Sequence, residues 1–382
     1  MTTKNNIPSG YKDSAVGIIP QEWEVKRLGA CFSIGHGRDY KHLSNGDIPV
    51  YGSGGIICYV GSFLHDGETV CIGRKGTINK PFYYNGPIWT VDTLFYTHSF
   101  QAVLPRYVGY LFDSIDWMRY NEATGVPSIT AKTISNIKKA VPPMEEQRKI
   151  AEILGVWDEA IEKQSRLIEK LELRKRALTQ RLLTGRTRLP GFTTPWQKVK
   201  LGEIFKERNE TKCEHLQLLS ITAERGVILQ SESDKKDTSN DDKSKYKRIY
   251  PNDIGYNTMR MWQGRSALSA MEGIVSPAYT IVTPKVGIDP LFISELIKQP
   301  RVVYDFWTHS QGLVGDTLNC KFHDFSQVKV AIPSLPEQKA IAEVLTTADD
   351  EITIHRKKLD ALRLQKRGLM QQLLTGKTRV RI

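Results

Sequence analysis

The chain has 382 residues, with 54 Lys and Arg against 42 Asp and Glu, so its formal net charge is +12. That length suits two domains plus a connecting frame, and that charge points to a polyanionic partner. Five scattered cysteines (Cys31, Cys58, Cys71, Cys213, Cys320) without a C-x-x-C argue against a disulfide scaffold or zinc site. No signal peptide is visible and no apolar run approaches the ~18 residues of a membrane span, so a cytoplasmic chain is expected.

Residues 1–141 read as a first globular region that opens on Trp23-x4-Leu28-Gly29. Short β-rich runs broken by glycine follow, at Ile48 to Gly55 and at Thr69 to Thr77, which predicts a mixed, mostly β domain with tight turns. Gly73-Arg74-Lys75-Gly76-Thr77 places two cations and a hydroxyl on a turn whose glycines allow close approach, suited to phosphate or base-edge contact. An apolar helical stretch at Arg106 to Met118 and a strand-like run at Ile137 to Val141 end the region.

Residues 142–189 then read as one long helix. Glu146-Gln147 suits a helix start after Pro143, and Gly185 follows Leu182-Leu183-Thr184 where a stop is expected. Apolar residues step by four and three through Ile150, Leu154, Trp157, Ile161, Ile168, Leu171, Leu178 and Leu182.

The second region, 190–332, repeats the opening as Trp196-x4-Leu201-Gly202 and the close as Val328 to Ile332, with helical residues at Pro290 to Trp307. Its interior differs. Asn257, Arg260, Gln263 and Arg265 bring the side chains that fit adenine and guanine edges, and Trp262 among them is expected to pack rather than stack on a base. Ser231 to Arg248 is polar and charged and reads as a loop that could order on a phosphate backbone.

Residues 333–382 repeat the long helix. Pro142 to Leu189 aligns with Pro333 to Val380 at a constant offset of 191 without a gap, and about twenty of the 48 pairs are identical. The second seam is Ile341, Leu345, Ala348, Ile352, Leu359, Leu362, Leu369 and Leu373. Polar seam positions coincide at Gln164 with His355 and at Lys175 with Lys366. A seam sustained over four to five heptads predicts a coiled coil roughly 60 Å long. Helix one delivers the chain to the second region and helix two starts from it, so pairing along the shared seam must be antiparallel.

No motif for chemistry is convincing. Gly376-Lys377-Thr378 ends like a P-loop, but Gln371 stands where glycine is required. The chain lacks H-E-x-x-H, a dinucleotide glycine fingerprint, an Asn-Pro-Pro-aromatic tetrad and a nuclease constellation. Catalytic, cofactor-binding and metal-binding residues are therefore expected to be absent.

The whole pattern resembles the specificity (S) subunit of type I restriction-modification systems. The resemblance rests on the duplicated Pro-x-x-x-Glu-Gln-x-x-Ile-Ala-Glu-x-Leu helix start and the Leu-Leu-Thr-Gly ends. It rests also on Ile48 to Gly55 with Ile72 to Thr77, and on Asn257 to Gly264 with Gly273 to Tyr279. It implies an α+β chain of two mixed, mostly β target recognition domains joined by two long antiparallel coiled-coil helices in a pseudo-two-fold arrangement. Each domain would read one half of a split, asymmetric double-stranded DNA site. The helices would set the spacing and bind two methylase (M) subunits, with restriction (R) subunits joining the complex. S-adenosylmethionine, ATP and Mg would bind those partners, not this chain. The candidate DNA contacts are Arg38, Tyr51, Ser53, Arg74, Lys75, Thr77 and Lys132 in the first region, and Lys247, Arg248, Asn257, Arg260, Gln263, Arg265 and Lys321 in the second. Two other classes stay open: a DNA-acting nuclease or methylase with an unrecognised site, disfavoured by the missing motifs, and a coiled-coil adaptor, disfavoured by the charge.

Overall fold

The structure, a computed structural model, describes residues 7–222, 225–233, 241–312 and 318–381. It forms two compact units, Met1–Arg166 with Lys357–Ile382, and Leu167–Arg356.

The first unit begins with β1 (Tyr11–Lys12), β2 (Ile19–Pro20), β3 (Glu24–Arg27) and β4 (Ser33–His36). A hairpin of β5 (Asn45–Gly52) and β6 (Gly55–Val60) follows, then β7 (Glu68–Gly73), β8 (Phe82–Asn85), β9 (Trp89–Thr90) and β10 (Leu94–His98). Helices α1 (Pro105–Asp113) and α2 (Ala131–Asn136) lead to β11 (Lys138–Val141) and the long α3 (Met144–Leu182). The sheets are β4-β10-β7-β8, all antiparallel, β6-β5-β9, in which β9 runs parallel to β5, and the pairs β1-β2 and β3-β11. β7 is an inner strand because its run Thr69-Val70-Cys71-Ile72 is buried throughout, the pattern of a strand covered on both faces.

The second unit repeats that scaffold. It contains β12 (Gln197–Lys200), a short α4 (Leu201–Ile204), β13 (Phe205–Arg208), β14 (Leu219–Thr222), β15 (Gly226–Leu229), β16 (Lys247–Ile249), β17 (Ile254–Asn257), β18 (Ser266–Leu268), β19 (Gly273–Val275) and β20 (Tyr279–Pro284). Then come α5 (Pro290–Leu296), α6 (Pro300–His309), α7 (Phe322–Gln327), β21 (Lys329–Ile332) and the long α8 (Leu335–Leu374). The sheet β13-β20-β17-β18 has the order and antiparallel sense of β4-β10-β7-β8, and β12-β21 matches β3-β11. The interiors differ, as the sequence suggests: β14-β15 and β16-β19 stand where the first unit has its three-stranded sheet.

Within each unit one end of α3 packs against the opposite end of α8. The first core joins Ile150 and Leu154 to Met370, Leu373 and Leu374 beneath Trp23, Tyr107, Phe112 and Trp117. The second joins Leu182 and Leu183 to Ile341, Ala342 and Leu345 beneath Phe292, Phe306 and Phe325. Numbers rise along one helix as they fall along the other, so the pairing is antiparallel in both. Every seam residue, including the polar Gln164 and His355, is buried or half-buried. Both helices end as their glycines dictate: Gly185 and Gly376 take φ +68° and +71°, the left-handed conformation that caps a helix C-terminus.

The repeated Glu-Gln does more than start a helix. Gln147 Oε1 accepts from the Leu104 amide at the start of α1 (2.9 Å), and its Nε2 donates to the Pro142 and Ala102 carbonyls (2.9 and 3.1 Å). Gln338 treats Asp289 and Pro333 in the same way (2.9 Å each), tying α8 to the start of α5.

One expectation needs correction. The stretch 231–248 is not all loop: residues 230–232 form a 3-10 turn, and Lys247 and Arg248 open β16, paired with Val275 and Ile274. Residues 234–240 of that stretch lie outside the described residues.

Candidate nucleic-acid interface

The two candidate base-reading segments hang from the same point of the repeated sheet. Arg74 to Thr77 leave β7 toward β8, and Arg260 to Arg265 lie between β17 and β18. Their anchoring is equivalent. The Arg74 amide donates to the Thr93 carbonyl (2.8 Å), and the Arg74 carbonyl accepts from Ile129 (2.9 Å). The Thr258 amide donates to the Ala278 carbonyl (3.2 Å), and the Thr258 carbonyl accepts from Cys320 (2.9 Å). What the common anchor presents is different in each unit.

In the first unit one backbone stretch gathers most candidates. Arg38 donates its amide to Thr90, Val91 donates to Tyr51, and Arg74 donates to Thr93. Ser53 closes against the same turn, since a Cβ built on Gly76 would stand 3.0 Å from its hydroxyl. A Cβ on Gly73 would stand 2.2 Å from the Thr77 carbonyl, so only glycine lets the chain fold back and project Arg74 and Lys75. Both cations are exposed. They line a groove of about 610 Å³ with Asp92, Thr93, Ala123, Val126 and Ser128 to Thr130. Thr77 is half-buried in the turn. Tyr51 packs its ring on Phe82 (4.9 Å between centroids), and burial pushes its phenol above the usual range. Lys132 is exposed in the first turn of α2, outside that lining.

Bonded alongside the two cations is a stapled loop, which lines the same groove. Asn121 Oδ1 accepts from the amides of Ala123 (3.2 Å) and Ser128 (2.9 Å). Glu122 accepts from the Thr130 amide and hydroxyl (3.3 and 3.1 Å) and from the Thr133 hydroxyl. Gly76 donates to the Pro127 carbonyl (2.8 Å), which fastens the loop to the Arg74 turn. The Thr133 hydroxyl, then the Thr130 donors, hold the Glu122 carboxyl below its ordinary range.

In the second unit Arg260, Gln263 and Arg265 are exposed on the turn that follows β17. Asn257 is half-buried, and its Oδ1 accepts from the Met259 amide (3.0 Å). Trp262 is also half-buried, its Nε1 donating to the Met259 carbonyl (3.0 Å). Lys321 joins this group through Cys320, which is bonded to Thr258. Lys247 and Arg248 sit apart on β16-β19. Arg248 is committed to carboxylates, donating to Glu210 (2.6 Å) and to Glu272, with its guanidinium 4.4 Å from the Tyr250 ring. Arg208 covers that ring at the same distance, anchored on buried Asp253 (2.7 Å). Such a neutralised, stacked guanidinium braces the sheet.

Two features lie outside the sequence-derived set. One is the receiving stretch Asp92-Thr93 with the loop Ala123 to Thr130, which carries no cation. The other is a pair of arginines. Arg379 donates to both oxygens of Glu146 (2.7 and 3.0 Å), and Arg188 does the same to Glu337 (2.6 and 2.7 Å). The alignment held that signal, because Arg188 and Arg379 are identical at the offset of 191.

Among the described residues no group of three His, Cys, Asp or Glu could hold a metal ion, and no helix is long and apolar enough to cross a membrane. The five cysteines are free thiols, four of them buried.

The chain is a duplicated β scaffold that offers two different polar surfaces, each packed on the ends of the two long helices. The profile of the type I restriction modification DNA specificity domain matches residues 20–173 and 292–364, more than half of the chain, and the chain belongs to that family. Its function is therefore DNA sequence recognition in a type I restriction-modification system. Two similar proteins come from Methanocaldococcus jannaschii. The chain assigned as specificity subunit of the type I restriction enzyme MjaX is 24% identical over 97% of both chains. The MjaVIII specificity subunit is 28% identical over 68% of this chain and 66% of its own. Among solved structures, the S subunit of a type I restriction-modification system from M. genitalium shares the fold with a TM-score of 0.60 over 98% of both chains, at 14% identity.

Proposed function

We propose that each unit reads one half of a split DNA site, the first through the groove of Arg74 and Lys75, the second through Arg260, Gln263 and Arg265. One observation carries this reading. The same strand of the same sheet ends, in the two units, in two loops with different side chains and equivalent anchors. A duplicated frame with divergent tips suits a bipartite, asymmetric target, because the frame fixes position while the tips specify bases.

The long helices set the spacing of the half-sites and dock two methylase subunits, with restriction subunits joining that assembly. Support comes from a second duplication. Leu173 and Leu364 occupy equivalent off-seam positions and are 63% and 67% exposed, each followed by an arginine, Arg176 or Arg367, on the same helix. Two equivalent surfaces on the repeated helices suit two copies of one partner. The chain itself is a non-catalytic cytoplasmic subunit, and S-adenosylmethionine, ATP and Mg belong to its partners.

The test is co-expression with the methylase of the same system, affinity purification and footprinting. The reading expects methylase to co-purify at two copies and the complex to protect two short specific blocks separated by unspecified base pairs. A single contiguous specific block, or methylation by the chain alone, would overturn it.

A further inference from the structure

We propose that Val126 reads a thymine methyl group in the half-site of the first unit; the inference rests on the assignment of that groove to DNA. Val126 is 56% exposed, yet it stands on a tightly fastened loop. Asn121 holds the loop through Ala123 and Ser128, Glu122 holds its far end through Thr130, and Gly76 grips Pro127. Pro127 adds its own fixed φ directly after Val126. An exposed branched side chain on a loop already ordered is ready to contact a ligand without rearrangement of the backbone.

The surroundings say what covers it. Val126 lines the same groove as Arg74 and Lys75, whose charges draw in a phosphate backbone, and as Thr93 and Ser128, which offer hydroxyls. A duplex lying against those cations presents base edges to the loop bonded alongside them. On the major-groove edge the one apolar group is the C5-methyl of thymine, which aliphatic side chains contact. The branched valine, held with few rotamers, loses little entropy on making that contact. An apolar wedge driven between base pairs is a different use of the same side chain, and the experiment separates the two.

The site bound by the chain with its methylase is first selected from random DNA. Each thymine of the half-site is then replaced in turn by deoxyuridine, which removes only the methyl group. Affinities are measured for the complex carrying wild-type chain, Val126→Ala or Val126→Thr. The expected result is one thymine at which deoxyuridine weakens wild type about fourfold, the factor that burial of one methyl group provides. At that thymine Val126→Ala should bind thymine and deoxyuridine equally. Three results overturn the inference: no thymine sensitive to deoxyuridine, sensitivity unchanged in Val126→Ala, or a uniform loss in Val126→Ala whatever base is present, as a wedge requires. Failure to select any site would instead sink the assignment of the groove to DNA.

Discussion

Arg379 closes on Glu146 across 233 residues of sequence, its Nε and Nη2 on the two carboxylate oxygens of a side chain with no exposed surface. Arg188 and Glu337 repeat the pair in the second unit. In each case the chain leaving the end of one helix is fastened to the start of the other. Trp23 Nε1 adds a third donor to Glu146 (2.8 Å). Removing the arginine leaves a buried carboxylate without its cation, which costs about 3 kcal/mol. Arg379→Ala should therefore raise hydrogen exchange in β3 and β11 and leave β12 and β21 unchanged, and Arg188→Ala should do the reverse. Glu146→Gln should recover part of the Arg379→Ala loss, because a neutral amide needs no cation. A loss of the few tenths of a kcal/mol typical of a surface pair would show that the clasp is not what fastens the chain.

The two seam lysines should differ from each other. Lys366 donates to Asp158 (2.5 Å) and Lys175 to Asp349 (2.6 Å), equivalent pairs at the offset of 191. The first pair is the more enclosed, with side-chain exposures of 14% and 33% against 25% and 54%. Asp158 also accepts from Tyr110 (2.6 Å) and Arg106 (3.2 Å). Lys366→Ala should cost about 1–2 kcal/mol, and Lys175→Ala less than about 0.5 kcal/mol, in denaturant unfolding. Added salt should erase the second effect before the first. Equal losses would contradict this ranking.

Glu122 gives the first unit a pH dependence. Its carboxyl is held below the ordinary value, so the ionised form is bound more tightly in the folded chain than in the unfolded one. The stability it contributes is fully present above the ordinary glutamate value of about 4.3, and is lost as pH falls through the lower folded value. The stability difference between wild type and Glu122→Gln should be flat from neutral pH down to that ordinary value and then shrink. A difference that grows on acidification would mean that the staple does not depend on the charge.

The long helices, their antiparallel sense and the shared opening and close of the two regions were legible because they follow from period and identity. A seam of apolar residues every three or four positions permits few alternatives, and connectivity fixes direction. The equivalence of the two candidate loops was not legible. Arg74 to Thr77 and Arg260 to Arg265 share no residue pattern, and only strand order shows that β7 and β17 are one strand of one scaffold. Residue type alone also does not reveal that carboxylates and an aromatic ring surround Arg248, or that Asp92, Thr93 and Val126 line the groove of Arg74 and Lys75, because both depend on which loops the fold brings together. Arg188, Arg379, Asp158 and Asp349 are identical across the repeat, yet nothing local tells a buried ion pair from a solvated helix face.

The division of labour between the two units is the central claim, and one selection experiment tests it most directly. The chain complexed with its methylase is allowed to choose sites from random DNA, as wild type, as Arg74→Ala with Lys75→Ala, and as Arg260→Ala with Gln263→Ala. Each lost base contact should relax about 1–3 kcal/mol of preference at its own position, whereas a lost phosphate contact weakens all sites alike. The account predicts that the first double substitution relaxes one half-site only and the second relaxes the other only, with the spacing unchanged in both. Relaxation of the same half-site by both would contradict it.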